Sequence, residues 1–295
     1  MARMAAARRN DKYLPDVPFP AGIAVTADLA AAVRTAQDVL LVVPSRAFRS
    51  MLEALSRAGG TWRGLAWATK GFELETGLLP HQAVAAVMSA DLPTAVLAGP
   101  TFASEVGAGL PSAMTIASHS DEYALHLAEA ITTESFRAYT STDIVGVEVG
   151  GATKNVFAIG AGLSDGLGFG ANTRIALLTR GLAEMTRLGL ALGARKDTFM
   201  GLAGMGDLVL TCTDDQSRNR RFGLALAAGK SVEEARRDIG QVVEGYYGAE
   251  SVRLVAGRLG VDMPIVEQIY RVLYEGLAPK DAVAALMRRP IMAEL

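Results

Sequence analysis

Short apolar segments alternate with amphipathic segments over the first 141 residues, and the alternation then stops. Several of the apolar segments are apolar on both faces, which is typical of strands in a parallel sheet that helices cover. The segments between them carry apolar residues at helical spacing. This order predicts a doubly wound α/β sheet. The predicted strands are Asp38–Val43, Gly64–Thr69, Thr94–Gly99 and Ser112–Ser118.

The pattern from residue 142 onward is helical, with apolar residues recurring every three or four positions. A chain of 295 residues is also longer than the about 100–200 residues of a usual single domain. Since half of its residues are hydrophobic, it has enough apolar side chains for two cores. We therefore expect two domains, an α/β domain at 1–141 and an all-α domain at 142–295.

The overall charge and the single cysteine exclude several classes of protein. With a net charge of −2, the chain has no overall basic field to attract nucleic acid or an anionic membrane. Cys212 has no partner for an internal disulfide, which favours a reducing, cytoplasmic compartment. No apolar run approaches the about 20 residues of a membrane helix. The segment 1–10 lacks the apolar centre of a secretory signal, so we interpret it as the end of an amphipathic helix.

Lys154 lies in an otherwise small and apolar segment, GGATKNVFAIGAGLSDGLGFG. On a helix it points away from the apolar stripe of its neighbours, and Gly150 and Gly151 lie one turn before it. The small residues leave room for a ligand beside the ammonium group. Two other interpretations stay open: a lysine that reaches solvent from an exposed face, and glycines that allow close packing against another helix.

Asp207 and the segment Ser217–Arg221 are further candidates for a site. Asp207 stands between glycines and an apolar run, where an unpaired carboxylate is costly. Ser217–Arg221 combines three arginines with a hydroxyl and an amide, a composition that suits a phosphate, although a solvated run of charges explains it equally well.

Three candidates lie at or just beyond the carboxyl ends of predicted strands, where α/β sheets bind their ligands: Lys70, Gly99 and Thr101. The glycines of 160–170 do not form a dinucleotide loop, because a helical segment precedes them instead of a strand. We interpret them as a turn between two helices. The histidines at 81, 119 and 126 have no carboxylate partners at ligand spacing, so no metal site is expected.

The chain as a whole resembles the bacterial NAD(P)-dependent glycerol-3-phosphate dehydrogenases. The resemblance covers nearly the whole sequence, in order, and is carried by YLPDVPFP, VVPS, WATKG, GPTFASE, GGATKNVFAIGAGLSDGLGFG, GDLVLTCT, SRNRRFG and GQVVEG. It implies a Rossmann-type parallel-sheet domain for NAD or NADP, followed by an all-α substrate domain. It also implies reduction of dihydroxyacetone phosphate to sn-glycerol 3-phosphate, the starting backbone of phospholipids, by a homodimer.

The resemblance implies a role for each candidate residue. Lys154 is the proton donor and acceptor, and Asp207 orients it or a substrate hydroxyl. The implied substrate-binding residues are Lys70, Gly99, Thr101, Lys154, Asp207, Ser217, Arg218 and Asn219, and the implied cofactor-binding residues are Tyr13, Lys70, Ala103, Arg218, Val242 and Glu244.

The sequence departs from this family at its beginning. The family opens with a strand, a glycine-rich turn and a helix, and these roughly forty residues, about one strand–helix–strand unit, have no counterpart here. We therefore expect the 295-residue chain to bind NAD(P)H weakly, to be nearly inactive, and to be less stable in its first half. The alternative is a non-catalytic remnant that binds a phosphorylated metabolite or a partner.

Overall fold

The structure is a computed structural model, and it describes residues 1–290. The chain divides into two compact units. The first, called the sheet unit, comprises Met1–Thr69 and His81–Ile144; the second, the helical unit, comprises Lys70–Pro80 and the chain from Val145 onward. The short segment Lys70–Pro80 therefore groups with the helical unit, although it follows a strand of the sheet unit.

The sheet unit contains a five-stranded sheet with the strands in sequence order. These strands are β3 (Asp38–Leu41), β4 (Gly64–Trp67), β5 (Thr94–Ala98), β6 (Ser112–Ser118) and β7 (Phe136–Ser141). A separate antiparallel pair, β1 (Arg9–Asn10) and β2 (Leu14–Pro18), precedes them. The four predicted strands are thus present, each within its predicted segment.

The sheet is parallel at β3–β4, β4–β5 and β6–β7, but β5 and β6 run antiparallel. A parallel neighbour needs a crossover long enough to bring the chain back to the starting end of the sheet. The β5–β6 connection contains only a five-residue helix, so the chain reverses there. No strand is predicted for β7, because its sequence FRAYTS mixes polar and aromatic residues and has no apolar run like those of the other strands.

Helices pack around this sheet and bury its central residues. Leu65, Trp67, Ala95, Ile116 and Ala117 are all at most 1% exposed. The segment 1–10 begins with a short helix, as its composition indicated. The helices that begin in or adjoin the sheet unit are α1 (Ala2–Ala7), α2 (Leu29–Arg34), α3 (Phe48–Ala58), α4 (Pro80–Val87), α5 (Ala103–Gly107) and α6 (Asp121–Ile131).

The helical unit is built around one long central helix, α7 (Ile144–Gly166). Every residue from 146 to 164 is buried, as expected for a helix that is apolar on all sides. The other helices are α8 (Ala171–Ala191), α9 (Asp207–Thr213), α10 (Arg218–Ala227), α11 (Val232–Ile239), α12 (Glu244–Leu259), α13 (Pro264–Tyr274) and α14 (Pro279–Met287). A 3₁₀ turn at Lys196–Met200 and a π-helical turn at Leu202–Gly206 precede α9.

The glycines predicted to form a turn belong in large part to α7. The helix continues through Gly160 and Gly162 to Gly166, and only the residues 167–170 connect it to α8. A Cβ atom on Gly162 would lie 2.0 Å from the carbonyl oxygen of Arg220, so the glycine is needed for the close approach of α10. The turn interpretation was therefore wrong for 160–166, where helix packing is the reason for glycine.

Candidate active site

Lys154 lies on α7 and is only 7% exposed. Its Nζ forms an ion pair with Asp207 Oδ1 and donates a hydrogen bond to Thr211 Oγ1 at 2.9 Å. The interpretation of a lysine that reaches solvent is therefore wrong, because the ammonium group is held inside the helical unit. Each of the two glycines one turn before Lys154 is explained by a different close neighbour. Gly150 lies against the Ala203 carbonyl, while Gly151 leaves space for the Lys70 side chain.

Asp207 is shared by two lysines. Its Oδ1 accepts from Lys154, and its Oδ2 accepts from Lys70 Nζ at 2.8 Å. Asp207 is 2% exposed and is the first residue of α9, directly after the π-helical turn. A carboxylate at the first turn of a helix is stabilised by the helix dipole. The Lys154–Asp207–Lys70 cluster thus carries two cationic groups and one anionic group, a net positive charge.

Burial and the neighbouring charges shift the pKa values within this cluster. The pKa of Lys154 is lowered from its ordinary value of 10.5 to about 8: burial is the main cause, the Asp207 carboxylate opposes it, and the charge of Lys70 adds to it. Burial alone raises the pKa of Asp207, but the Lys154 and Lys70 ammonium groups outweigh it and lower that pKa. Asp207 is therefore ionised at neutral pH, and Lys154 can change its protonation state close to neutral pH.

The first turn of α10 brings further predicted residues toward α7. Asn219 Nδ2 donates to Asn155 Oδ1 at 3.0 Å, and the backbone N–H of Gly245 donates to Asn219 Oδ1 at 2.8 Å. Arg218 Nη1 donates to Gln241 Oε1 at 2.9 Å. The Ser217 hydroxyl accepts from the backbone N–H of Arg220 and caps the helix, so its observed contact is structural.

The three arginines of Ser217–Arg221 have different surroundings. Arg220 is 8% exposed and pairs with Asp165 and Asp215, so it is already neutralised by protein carboxylates. Arg221 is exposed. The interpretation of a solvated run of charges therefore does not hold for Arg220, because its guanidinium group is buried against two carboxylates.

Two family models match this chain, one in each half. Sequence models of the N-terminal and C-terminal parts of NAD-dependent glycerol-3-phosphate dehydrogenase match residues 1–124 and 143–284. The chain belongs to the NAD-dependent glycerol-3-phosphate dehydrogenase family. The prediction of an NAD(P)-dependent oxidoreductase of this family is thereby confirmed.

Individual relatives of this glycerol-3-phosphate dehydrogenase family cover almost the whole chain. The glycerol-3-phosphate dehydrogenase [NAD(P)+] of Aeromonas salmonicida is 56% identical over 98% of this chain and 87% of the relative. That of Pseudoalteromonas translucida is 53% identical over 100% of this chain and 88% of the relative. The crystal structure of glycerol-3-phosphate dehydrogenase from Coxiella burnetii superposes with a TM-score of 0.95 and 43% identity, over 98% of this chain and 88% of that one.

The remaining predicted residues of this family member fall into two groups. Tyr13, Gly99, Thr101 and Ala103 belong to the sheet unit. In the helical unit, Glu244 is the first residue of α12 and Val242 lies two residues before it. Tyr13 is 53% exposed. Gly99 follows β5 with φ of 157°, and a Cβ atom there would lie 2.9 Å from Met114 Cα, which gives a structural reason for glycine. Thr101 Oγ1 donates to the Gly99 carbonyl at 3.3 Å.

The sheet unit fits the dinucleotide cofactor of the glycerol-3-phosphate dehydrogenase family. Ligands of doubly wound sheets bind beyond the carboxyl ends of the strands. Val42, directly after β3, is 68% exposed and presents an apolar surface at that end, of the kind that an aromatic ring covers.

Among the described residues, no group of three or more His, Cys, Asp or Glu side chains is arranged to hold a metal ion. No described helix is both long and apolar enough to cross a membrane.

Sequence reasoning missed Thr211 and Asn155, both of which contact predicted residues. Thr211 stands four residues after Asp207, so both lie on one face of α9, and this spacing was a usable signal. Asn155 adjoins Lys154 in the sequence. Its contact with Asn219 depends on the packing of α10 on α7, which no local pattern encodes. His126 likewise lies 2.9 Å from Asp38 Oδ2, a carboxylate partner that sequence spacing did not reveal.

Proposed function

We propose that this chain interconverts dihydroxyacetone phosphate and sn-glycerol 3-phosphate, with Lys154 as the group that donates and accepts the proton at the C2 oxygen. The buried Lys154 ammonium, paired with Asp207 and Thr211, is the observation that supports this proposal most directly. The names of the relatives support the reaction, and the product would supply the glycerol phosphate backbone for phospholipid synthesis.

In the reductive direction, negative charge develops on the C2 oxygen. NADH or NADPH, when bound, supplies the hydride for this reduction. The Lys154 ammonium stabilises the charge on the oxygen and transfers a proton to it, since a fixed cation in a buried site is far more effective than one in water. Lys70 contributes a second positive charge through Asp207.

In the oxidative direction, Lys154 must first be a neutral amine to remove the hydroxyl proton. A pKa of about 8 places this form within reach of neutral pH, whereas an ordinary lysine would be protonated almost completely. Asp207 limits the shift and fixes the position of Nζ, so that the same residue serves both directions.

Arg218 and Asn219 are the proposed contacts for the phosphate and the cofactor in the helical unit. Arginine suits a phosphate because its planar guanidinium group donates two parallel hydrogen bonds. The assignments of Lys70, Gly99, Thr101 and Ser217 to substrate, and of Tyr13, Lys70, Ala103, Val242 and Glu244 to cofactor, stay predictions. A homodimer, a cytoplasmic location and the choice between NAD and NADP stay predictions as well.

NADPH oxidation with dihydroxyacetone phosphate tests the proposed function directly. The expected result, whatever the absolute rate, is that the rate with dihydroxyacetone phosphate far exceeds the rate with dihydroxyacetone, which lacks the phosphate. Ketopantoate serves as the control substrate, since ketopantoate-type enzymes share the two-domain plan. Turnover with ketopantoate but not with dihydroxyacetone phosphate would move the chain to another activity. The same assay addresses the non-catalytic alternative, because binding of the phosphorylated metabolite without turnover would support that alternative.

A further inference from the structure

The Arg220 guanidinium group lies at the corner between α9 and α10. Its Nε donates to Asp215 Oδ1 at 2.9 Å, in the loop that connects the two helices. Its Nη1 donates both to Asp165 Oδ2, on α7, and to the Cys212 carbonyl at 3.3 Å, in the last turn of α9. One side chain therefore joins the end of α9, the loop, α10 and α7.

The backbone of Arg220 is fixed as tightly as its side chain. Its N–H donates to the capping hydroxyl of Ser217, and its carbonyl oxygen lies against Gly162. Because Arg220 is in the first turn of α10, any shift of its side chain moves that turn as well. Arg218 and Asn219 are the two residues directly before it.

The segments that Arg220 joins are those that carry the proposed site of the helical unit. Helix α7 carries Lys154 and Asn155, helix α9 carries Asp207 and Thr211, and helix α10 carries Arg218 and Asn219. Arg220 itself contacts none of the side chains in the Lys154–Asp207–Lys70 cluster. Its partners are two other carboxylates and a carbonyl.

We propose that Arg220 is a positioning residue, which holds Arg218 and Asn219 in register with Lys154 without taking part in the chemistry. This inference rests on the proposed function. The planar guanidinium group reaches two carboxylates and a carbonyl at once, and a lysine in its place can satisfy only part of this set. A change of about 1 Å in the position of a substrate-holding group can cost up to about 100-fold in rate.

Arg174 provides a matched control. Its Nη1 donates at 2.8 Å to Asp165 Oδ2, the oxygen that also accepts from Arg220. It lies on α8 and its side chain is 32% exposed. Replacing Arg174 therefore disturbs the same carboxylate, that of Asp165, but leaves the corner between α9 and α10 in place.

The test compares Arg220→Lys, Arg174→Lys and the unchanged chain. KM and kcat for dihydroxyacetone phosphate are measured by NADPH oxidation, and the affinity for sn-glycerol 3-phosphate is measured by calorimetry. For Arg220→Lys we expect KM and the dissociation constant to rise about tenfold or more, with a smaller change in kcat. The pH at which the rate falls should not move, because Lys154 keeps its partners. Arg174→Lys should leave KM within about twofold of the unchanged chain.

Equal effects of Arg220→Lys and Arg174→Lys would overturn the inference, as would a loss of thermal stability in Arg220→Lys with KM unchanged. If Arg220→Lys does not fold, Asp215→Asn takes its place. The Asp215 side chain is 70% exposed, so its replacement should also raise KM, but by a smaller factor than Arg220→Lys.

The unchanged chain separates this inference from the proposed function. If it binds sn-glycerol 3-phosphate without turnover, the proposed reaction is overturned, but the affinities of the variants can still be compared. An unchanged chain that neither binds nor turns over overturns both.

Discussion

Lys154 is the residue on which the proposed chemistry depends most. Replacement by alanine removes the proton donor and one cation, and each of these contributions is typically about 10²–10⁴-fold in rate. We expect Lys154→Ala to reduce kcat by at least about 100-fold, while NADPH affinity changes little. Lys230→Ala is the matched control, because that lysine pairs with Asp238 at the surface, with nearly half of its side chain exposed. Retention of a tenth of the original kcat by Lys154→Ala would show that the lysine is structural.

The pH dependence of the rate tests the roles of Lys154 and Asp207 together. Reduction needs protonated Lys154, so its rate should fall as pH rises through about 8, while oxidation should increase over the same range. Asp207→Asn removes the carboxylate that favours the charged amine, so the pKa of Lys154 should fall and the profile should move to lower pH. The profiles of kcat/KM in both directions measure this. A profile that Asp207→Asn leaves unmoved contradicts the proposed role of Lys154.

At the scale of elements, the contact between α7 and α10 depends on two glycines. Gly162→Ala would place a Cβ atom 2.0 Å from the Arg220 carbonyl, and Gly223→Ala would place one 2.2 Å from the Ile159 carbonyl. Since neither backbone can yield easily, each change should cost about 3 kcal/mol or more of unfolding free energy in urea. Gly257→Ala on α12 meets nothing within 4 Å and should stabilise by about 0.5–1 kcal/mol. Similar results for the buried and the open glycines would contradict the packing argument.

Glu184, on α8, contacts the start of α13 and makes the stability of the fold depend on pH. Its carboxylate is 1% exposed and accepts from the backbone N–H groups of Ile265 and Val266. Burial raises its pKa from 4.5 to about 7, so the folded state holds this proton more tightly than the unfolded chain. Its contribution to stability is complete below pH 4.5 and is lost as pH rises through 7, on the order of 3 kcal/mol in total. Urea unfolding between pH 5 and 8 measures how the free energy of unfolding changes with pH, and Glu184→Gln should reduce this change. If Glu184→Gln leaves it unaltered, another group causes the pH dependence.

Sequence patterns found most elements but few of the contacts between them. The strands β3 to β6 consist mostly of apolar residues, and the isolated charge of Lys154 in a small-residue segment was visible without a structure. The polar edge strand β7, the extent of α7 and the reversal at β6 were not predicted, because burial and connection length decide them. The pairing of Arg220 with Asp165, 55 residues apart, likewise depends on how α10 packs on α7.

For the whole molecule, the remaining prediction concerns the local stability of the sheet unit and of the helical unit. The strand β3 forms one edge of the five-stranded sheet, and Leu40 on it is 51% exposed. Among the described residues β3 pairs with a strand on one side only, so its backbone N–H groups should open to solvent more readily than those of a fully buried helix. We therefore expect weaker protection from hydrogen exchange in β3 than in α7, where every residue from 146 to 164 is buried. Hydrogen exchange of the backbone N–H groups, followed by mass spectrometry, measures this difference. Equal protection in β3 and α7 would contradict the prediction, because it would require the open edge of β3 to be as well covered as the central helix.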